Sequence, residues 1–223
     1  MTDRTPTIWC SIELYYGVRA TLMEVEKEDR EKFFNRIVFL PEADRMRIQL
    51  AYTLSKFAHR AQVRKECGPD GKPLRYFEHV RRVALVLIDE LKVARTEMII
   101  TALLHDGIED TRDLTPDMIE FHFGADVGTL VKLLSKVPKE GYAERLIHFG
   151  DWRALMLKGC DRLDNLRSLA AASPEFRAKQ VNETRKVYYA IFNRMVDIAP
   201  ADHAKAASYL RDEIVKVAES VPV

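Results

Sequence analysis

Apolar residues recur at spacings of three and four along most of this chain, the period of helices that bury one face. That pattern predicts a first helical region over about residues 9–39. Pro41 opens a second helix, which runs to near Arg64 with Met46, Leu50, Leu54, Phe57 and Ala61 on its inward face. Gly68-Pro69-Asp70-Gly71-Lys72-Pro73 is a turn and loop signal. A third helix follows over residues 76–91, with Val80, Val83, Ala84 and Leu87 inward. Thr96 is placed to cap a strongly apolar helix that ends at His105-Asp106. Thr115-Pro116 caps and opens the next, which stops at Gly124, and another reaches about Lys136. Further helices are expected within 141–169, 174–198 and 200–220.

With only nine Gly and nine Pro to interrupt it, the chain reads as all-α, a single domain. Its 223 residues are enough for one buried core. The expected organisation is an N-terminal helical extension over 1–40, a core over 41–172, and C-terminal helices over 173–223 packed on that core. Lys+Arg number 35 against Asp+Glu 34, so no global charge draws the chain to nucleic acid or to an anionic membrane. No apolar stretch approaches the roughly 18 residues of a membrane span, and the start lacks the basic-then-apolar order of a signal peptide. Cys10, Cys67 and Cys160 are odd in number and lack metal-ligand spacing, as in a reduced, cytoplasmic protein.

The chemistry gathers where the apolar helix ends. His105 and Asp106 are followed by Glu109 and Asp110, an imidazole and three carboxylates at one place. Polar groups there are costly unless something pairs with them, and a metal ion accepts both nitrogen and carboxylate oxygen. His79, on the third helix, reads by itself as a structural histidine, as do His59, His122, His148 and His203. Asp161 ends a second apolar run and Asn165 lies one turn later on the same face; alone, they read as surface polar groups. Arg64-Lys65 alone reads as a solvated helix end.

Taken in order, these residues resemble the HD-domain phosphohydrolases. Ala58-His59-Arg60-Ala61-Gln62-Val63-Arg64-Lys65, Leu103-Leu104-His105-Asp106-Gly107-Ile108-Glu109-Asp110-Thr111 and Asp161-Arg162-Leu163-Asp164-Asn165-Leu166-Arg167-Ser168-Leu169 are similar to three motifs of the Rel/Spo homologues, in their hydrolase branch. The resemblance covers about residues 50–170. It implies an HD-domain helical fold in which His79, His105, Asp106 and Asp161 hold a divalent metal, Mn²⁺ by preference among ions such ligands accept. It further implies Glu109 and Asp110 as catalytic acid and base, and Arg64, Lys65 and Asn165 as contacts to a guanosine nucleotide. The implied reaction is hydrolysis of the 3′-pyrophosphate of (p)ppGpp to GDP or GTP and pyrophosphate. Too few residues follow position 170 for a synthetase domain, so a stand-alone small alarmone hydrolase is expected, with antitoxin to an alarmone synthetase as one role.

Four positions depart from the family pattern. Val80 follows His79 where Pro is usual, and the link over 66–76 is lengthened beside the expected nucleotide site. Asp164 stands where the third motif usually has His, and is expected to face solvent. Lys158-Gly159-Cys160 replaces a more apolar approach to Asp161 and is expected to loosen that helix. The lengthened link keeps open an HD phosphohydrolase acting on another nucleotide, such as NADPH or a 3′-phosphonucleotide. A non-catalytic nucleotide-binding module is the third reading; Glu109 and Asp110 together argue against it, since binding alone needs neither acid nor base.

Overall fold

Helices supply almost all of the regular structure, and two of them, buried along nearly their whole length, set the plan. The computed structural model describes residues 30–68 and 71–222. The expected N-terminal helical extension therefore lies mostly outside the described residues, which take in only its last part, α1 (Arg30–Asn35). The order continues α2 (Glu42–Ala58), β1 (Val63–Cys67), β2 (Pro73–Arg75), α3 (Phe77–Leu85) with a π-helical turn over Val86–Glu90, α4 (Thr96–Leu104) and α5 (Gly107–Asp110). Then come α6 (Pro116–Phe123), α7 (Ala125–Leu134), α8 (Tyr142–Phe149), α9 (Trp152–Arg167), α10 (Pro174–Glu183) with a second π-helical turn (Thr184–Tyr188), α11 (Tyr189–Ile198) and α12 (Ala204–Ser220).

Every residue of α4 from Met98 to Leu104 is buried, because α2, α3, α7 and α9 surround it. In α9 burial runs from Ala154 through Asp164, with α3, α7, α11 and α12 against it. Asp151 caps this helix by accepting from the backbone N–H groups of Arg153 and Ala154 at 2.9 and 3.0 Å. One contiguous apolar core joins Phe33, near the start of the described chain, to Val221 near its end. The all-α, single-domain expectation holds.

Three local expectations are corrected. The buried face of α2 is Ile48, Ala51, Tyr52, Ser55 and Ala58, not the Met46–Leu50–Phe57 stripe, whose members are exposed. Both stripes have helical spacing, but Tyr52 packs its ring against Phe33, Phe34 and Phe77 at centroid distances of 4.7–5.4 Å, and aromatic burial decides the rotation. The helix also stops at Ala58 rather than near Arg64, so Arg64 and Lys65 sit on β1, in an antiparallel hairpin with β2. Polar Val63-Arg64-Lys65-Glu66-Cys67 lacks the alternation that signals a strand. Finally, Thr96 is the first residue of α4 and Arg95 its N-cap, with no side-chain cap bond, whereas Thr115 does cap α6, accepting from the Met118 N–H at 3.2 Å.

The Lys158-Gly159-Cys160 step does not loosen α9. All three residues are buried, and Gly159 is where α12 comes closest: a Cβ there would stand 2.7 Å from Leu210 Cδ2 and 3.5 Å from Ile214 Cδ1. We expect Gly159→Ala to change stability little, since a gain of about 1 kcal/mol in helix propensity offsets the shift of Leu210. Gly159→Val should lose about 1–3 kcal/mol through overpacking and melt a few degrees lower in a calorimetric scan. A Val variant as stable as the parent would show that α12 does not pack tightly on α9.

Candidate active site

Three helices bring four side chains to one point. His79 comes from α3, His105 and Asp106 from the break between α4 and α5, and Asp161 from the middle of α9. His105 and Asp106 are adjacent, and in a continuous helix they would diverge by about 100°. The backbone leaves the helix at Asp106 (φ −91°, ψ −5°), so both face the same centre. Nε2 of His79 lies 3.4 Å from Asp106 Oδ2 and 3.3 Å from Asp161 Oδ1. Nε2 of His105 lies 3.2 and 3.7 Å from the same two oxygens.

These groups are also held by neighbours, the two carboxylates partly through the same oxygens that face the rings. His105 Nδ1 lies 2.8 Å from the Ala102 carbonyl, which can only accept, so that nitrogen carries a proton and Nε2 is the atom that faces inward. His79 Nδ1 makes the same contact with Asp164 Oδ2 at 2.7 Å. Asp161 Oδ2 accepts from the ammonium of buried Lys158 at 2.6 Å, and its Oδ1 from the Asn165 amide at 2.6 Å. Asp106 Oδ2 accepts from the Tyr76 hydroxyl at 2.7 Å.

Neither inward Nε2 has a hydrogen-bond partner, although both are buried. His79, His105 and Asp161 each offer one ligand atom, all within 4.8 Å of one another. Two imidazole nitrogens and a carboxylate oxygen so grouped suit a divalent cation, and Asp106, whose Oδ2 faces both rings, stands beside that group without belonging to it. The electrostatics agree. Burial alone would lower both imidazoles, but Asp106 and Asp161 outweigh it, raising His79 well above its ordinary value and pushing His105 up to about 9. Burial likewise opposes ionisation of Asp161, yet Lys158 and the two rings hold it well below the carboxylate range. The centre attracts positive charge, and it is open on one side. The Asp106 side chain is 18% exposed, against 1%, 4% and 7% for His79, His105 and Asp161.

The remaining predicted residues lie at different removes from that centre. Arg64 donates to Asn165 Oδ1 at 3.1 Å and Ser168 Oγ at 2.9 Å, with its guanidinium 5.7 Å from the Tyr76 ring centroid. Asn165 therefore bridges Asp161 and Arg64 with the two ends of its amide. The Lys65 ammonium stands 4.6 Å above the Phe176 ring. Glu109 and Asp110 are exposed. Glu109 Oε2 accepts the Lys136 backbone N–H at 2.9 Å, while the charge of Asp110 acts on Tyr76 and His59. Burial, with Asp106 and Asp110, keeps Tyr76 protonated as a donor.

Sequence reading missed Tyr76, Lys158, Arg82 and Ser168, and placed Asp164 in solvent. Asp164 is buried: three residues past Asp161, it returns to the same helix face, on the other flank of Asp161 from Asn165. The spacing held that signal, which was masked by its being adjacent to Asn165. His59 keeps its structural role, but beside the site. Its ring stacks on Tyr76 at 4.9 Å, and it meets Gln62, whose amide donates to the Asp110 carbonyl at 2.5 Å.

The HD domain family model matches residues 51–196, and the chain belongs to that family. It is 33% identical over 169 residues to the bifunctional (p)ppGpp synthase/hydrolase SpoT of Escherichia coli K12, covering 70% of this chain and 23% of that protein. It is 37% identical over 123 residues to the human guanosine-3′,5′-bis(diphosphate) 3′-pyrophosphohydrolase MESH1, covering 52% of this chain and 66% of that one. A solved structure of a metazoan ortholog of SpoT, described as hydrolysing ppGpp with a role in starvation responses, superposes with a TM-score of 0.58 at 28% identity. That match covers 79% of this chain and 96% of the other. Against several of its bacterial relatives, the chain spans less than a quarter of their length. No helix among the described residues is long and apolar enough to cross a membrane.

Two substitutions separate metal binding from folding. His105→Ala should weaken Mn²⁺ binding by more than the roughly 10–100-fold typical of losing an outer partner, with the helical circular dichroism intact. Asp161→Ala should do the same and also destabilise the fold by about 3–5 kcal/mol, because it leaves Lys158 charged and buried without its partner. Retained Mn²⁺ affinity in His105→Ala would sink the assignment.

Proposed function

We propose that this chain is a metal-dependent hydrolase of guanosine alarmones, converting (p)ppGpp and water to GDP or GTP and pyrophosphate. The observation that carries the reading is the pair of buried, partnerless imidazole nitrogens facing two carboxylate oxygens, in a chain whose relatives are named for this hydrolysis. The proposed ligands are His79, His105, Asp106 and Asp161, with Mn²⁺ as the ion, in a catalytic core over 41–172 on which 173–223 pack. When bound, such an ion supplies Lewis acidity, which activates water near neutral pH and offsets phosphate charge.

The protein's own groups supply the rest. Glu109 and Asp110 stand exposed at the end of α5, one turn beyond Asp106, where a carboxylate can take a proton from the attacking water. The second passes a proton to the 3′ oxygen as its bond to phosphorus breaks, so the two protons of water end on the released products and the protein. Asp110 is held in place through its own backbone, by Gln62 at its carbonyl and Asp106 at its N–H. Arg64 offers a planar guanidinium that can stack on a purine, and Lys65 an ammonium for phosphate. Asn165, with one amide end on Asp161 and the other on Arg64, sets the distance between nucleoside and metal centre.

Turnover of the purified chain with Mn²⁺ against ppGpp, pppGpp, NADPH and 3′-AMP is the deciding assay. Pyrophosphate release from the alarmones alone is expected. Preference for NADPH or 3′-AMP would keep the site and overturn the substrate, and no turnover of any would favour a binding module. Asp110→Asn and Glu109→Gln should each lower kcat by about 10²-fold or more without loss of metal. Arg64→Ala should act mainly on KM. The reverse pattern would exchange these roles.

A further inference from the structure

Of the two inward-facing imidazoles, one is oriented by the backbone and the other by a side chain. His105 is held by the Ala102 carbonyl, which no substitution removes. His79 is held by Asp164, whose Oδ2 lies 2.7 Å from Nδ1. An ionised carboxylate only accepts, so Nδ1 donates to it and Nε2 is left as the nitrogen turned toward Asp106 and Asp161. Asp164 is a third carboxylate packed close to those two, and like charges at such range disfavour one another. Arg82, one turn beyond His79 on α3, answers that charge. Its Nε donates to Asp164 Oδ1 at 2.6 Å and its Nη2 to Oδ2 at 3.1 Å. The same Nη2 reaches Glu66 Oε2 on β1 at 2.8 Å.

We propose that Asp164 is a positioning residue of the metal centre, holding the His79 ring so that Nε2 faces the ion, with Arg82 as its obligatory counter-charge. A carboxylate behind a ligating imidazole fixes the ring and raises its basicity. The Rel/Spo motif usually has His at this place, which carries no fixed charge to match a guanidinium. Asp164 and Arg82 therefore work as a pair in this chain. Glu66 extends the pair to β1, so the strand that bears Arg64 and Lys65 is braced by the side chain that balances the metal centre.

The inference rests on reading the cluster as a divalent-metal site, and the test keeps the two apart. Metal-free full-length protein is titrated with Mn²⁺, followed by electron paramagnetic resonance, and with Co²⁺, followed by visible absorption. Asp164→Asn, nearly isosteric, is expected to bind Mn²⁺ roughly 10–100-fold more weakly and to shift the Co²⁺ ligand-field bands, with its metal-free helical signal unchanged. Parental affinity and identical bands in that variant would overturn the positioning role while leaving the metal site standing. Should Asp164→Asn fail to fold, Asp164→Glu takes its place. It keeps the charge for Arg82 but moves the carboxylate by one methylene, so shifted bands are expected and unchanged bands overturn the proposal. If the parent chain takes up neither ion, the metal reading falls and this inference with it.

Discussion

Placing ionised side chains in the middle of a helical core costs several kcal/mol each unless every one meets a partner in good geometry. α9 buries four of them, Lys158, Asp161, Arg162 and Asp164, and the packing of its neighbours follows from where their partners are. Lys158 and Asp161 pair within the helix. Arg162 reaches Gln180 and Glu183 on α10 and lies 3.9 Å over the Tyr188 ring. Asp164 takes Arg82 and His79 from α3. Apolar contacts tolerate exchange of one aliphatic side chain for another, whereas these pairs fix rotation and register. The docking of α3 and α10 on α9 is thus set by charge as much as by hydrophobic burial.

That same constraint makes the site asymmetric. Each α9 carboxylate has a cation beside it, Lys158 for Asp161 and Arg82 for Asp164, so Asp161 can face the two imidazoles while Asp164 backs His79 without excess repulsion. Asp106 has no resident cation; its outer partner is the neutral Tyr76 hydroxyl. It is also the most exposed member of the four. The side of the centre with the least internal compensation is therefore the side open to an incoming group, and the short α5 begins there, directly after Asp106.

Much of this was legible in the chain. Helical periodicity located most of the helices, and the resemblance of three ordered motifs to the Rel/Spo homologues, not the residues taken singly, named His79, His105, Asp106 and Asp161 as the converging groups. What failed depended on choices between equivalent patterns. α2 carries two apolar stripes, and only the aromatic cluster of Phe33, Phe34, Tyr52 and Phe77 tells which one turns inward. The hairpin is polar on both faces, so no alternation marks it. Asp164 was read by its neighbour Asn165 when its partner was one turn back, and Arg82, Lys158 and Tyr76 are recognisable only once the groups they serve are in place.

The lengthened link after Arg64 also takes on a physical meaning. Among its described residues, Gly71 adopts φ +72° and Gly68 N–H bonds the Lys72 carbonyl at 2.9 Å. The base of the hairpin is pinned instead by the Tyr76 N–H on the Gln62 carbonyl at 3.0 Å, by Arg64 on Asn165 and Ser168, and by Glu66 on Arg82. Arg64 is held between Asn165, which bonds Asp161, and Tyr76, which bonds Asp106. Any displacement of this strand therefore disturbs partners of both carboxylates at once, which ties the geometry of the rim bearing Arg64 to that of the four-residue centre.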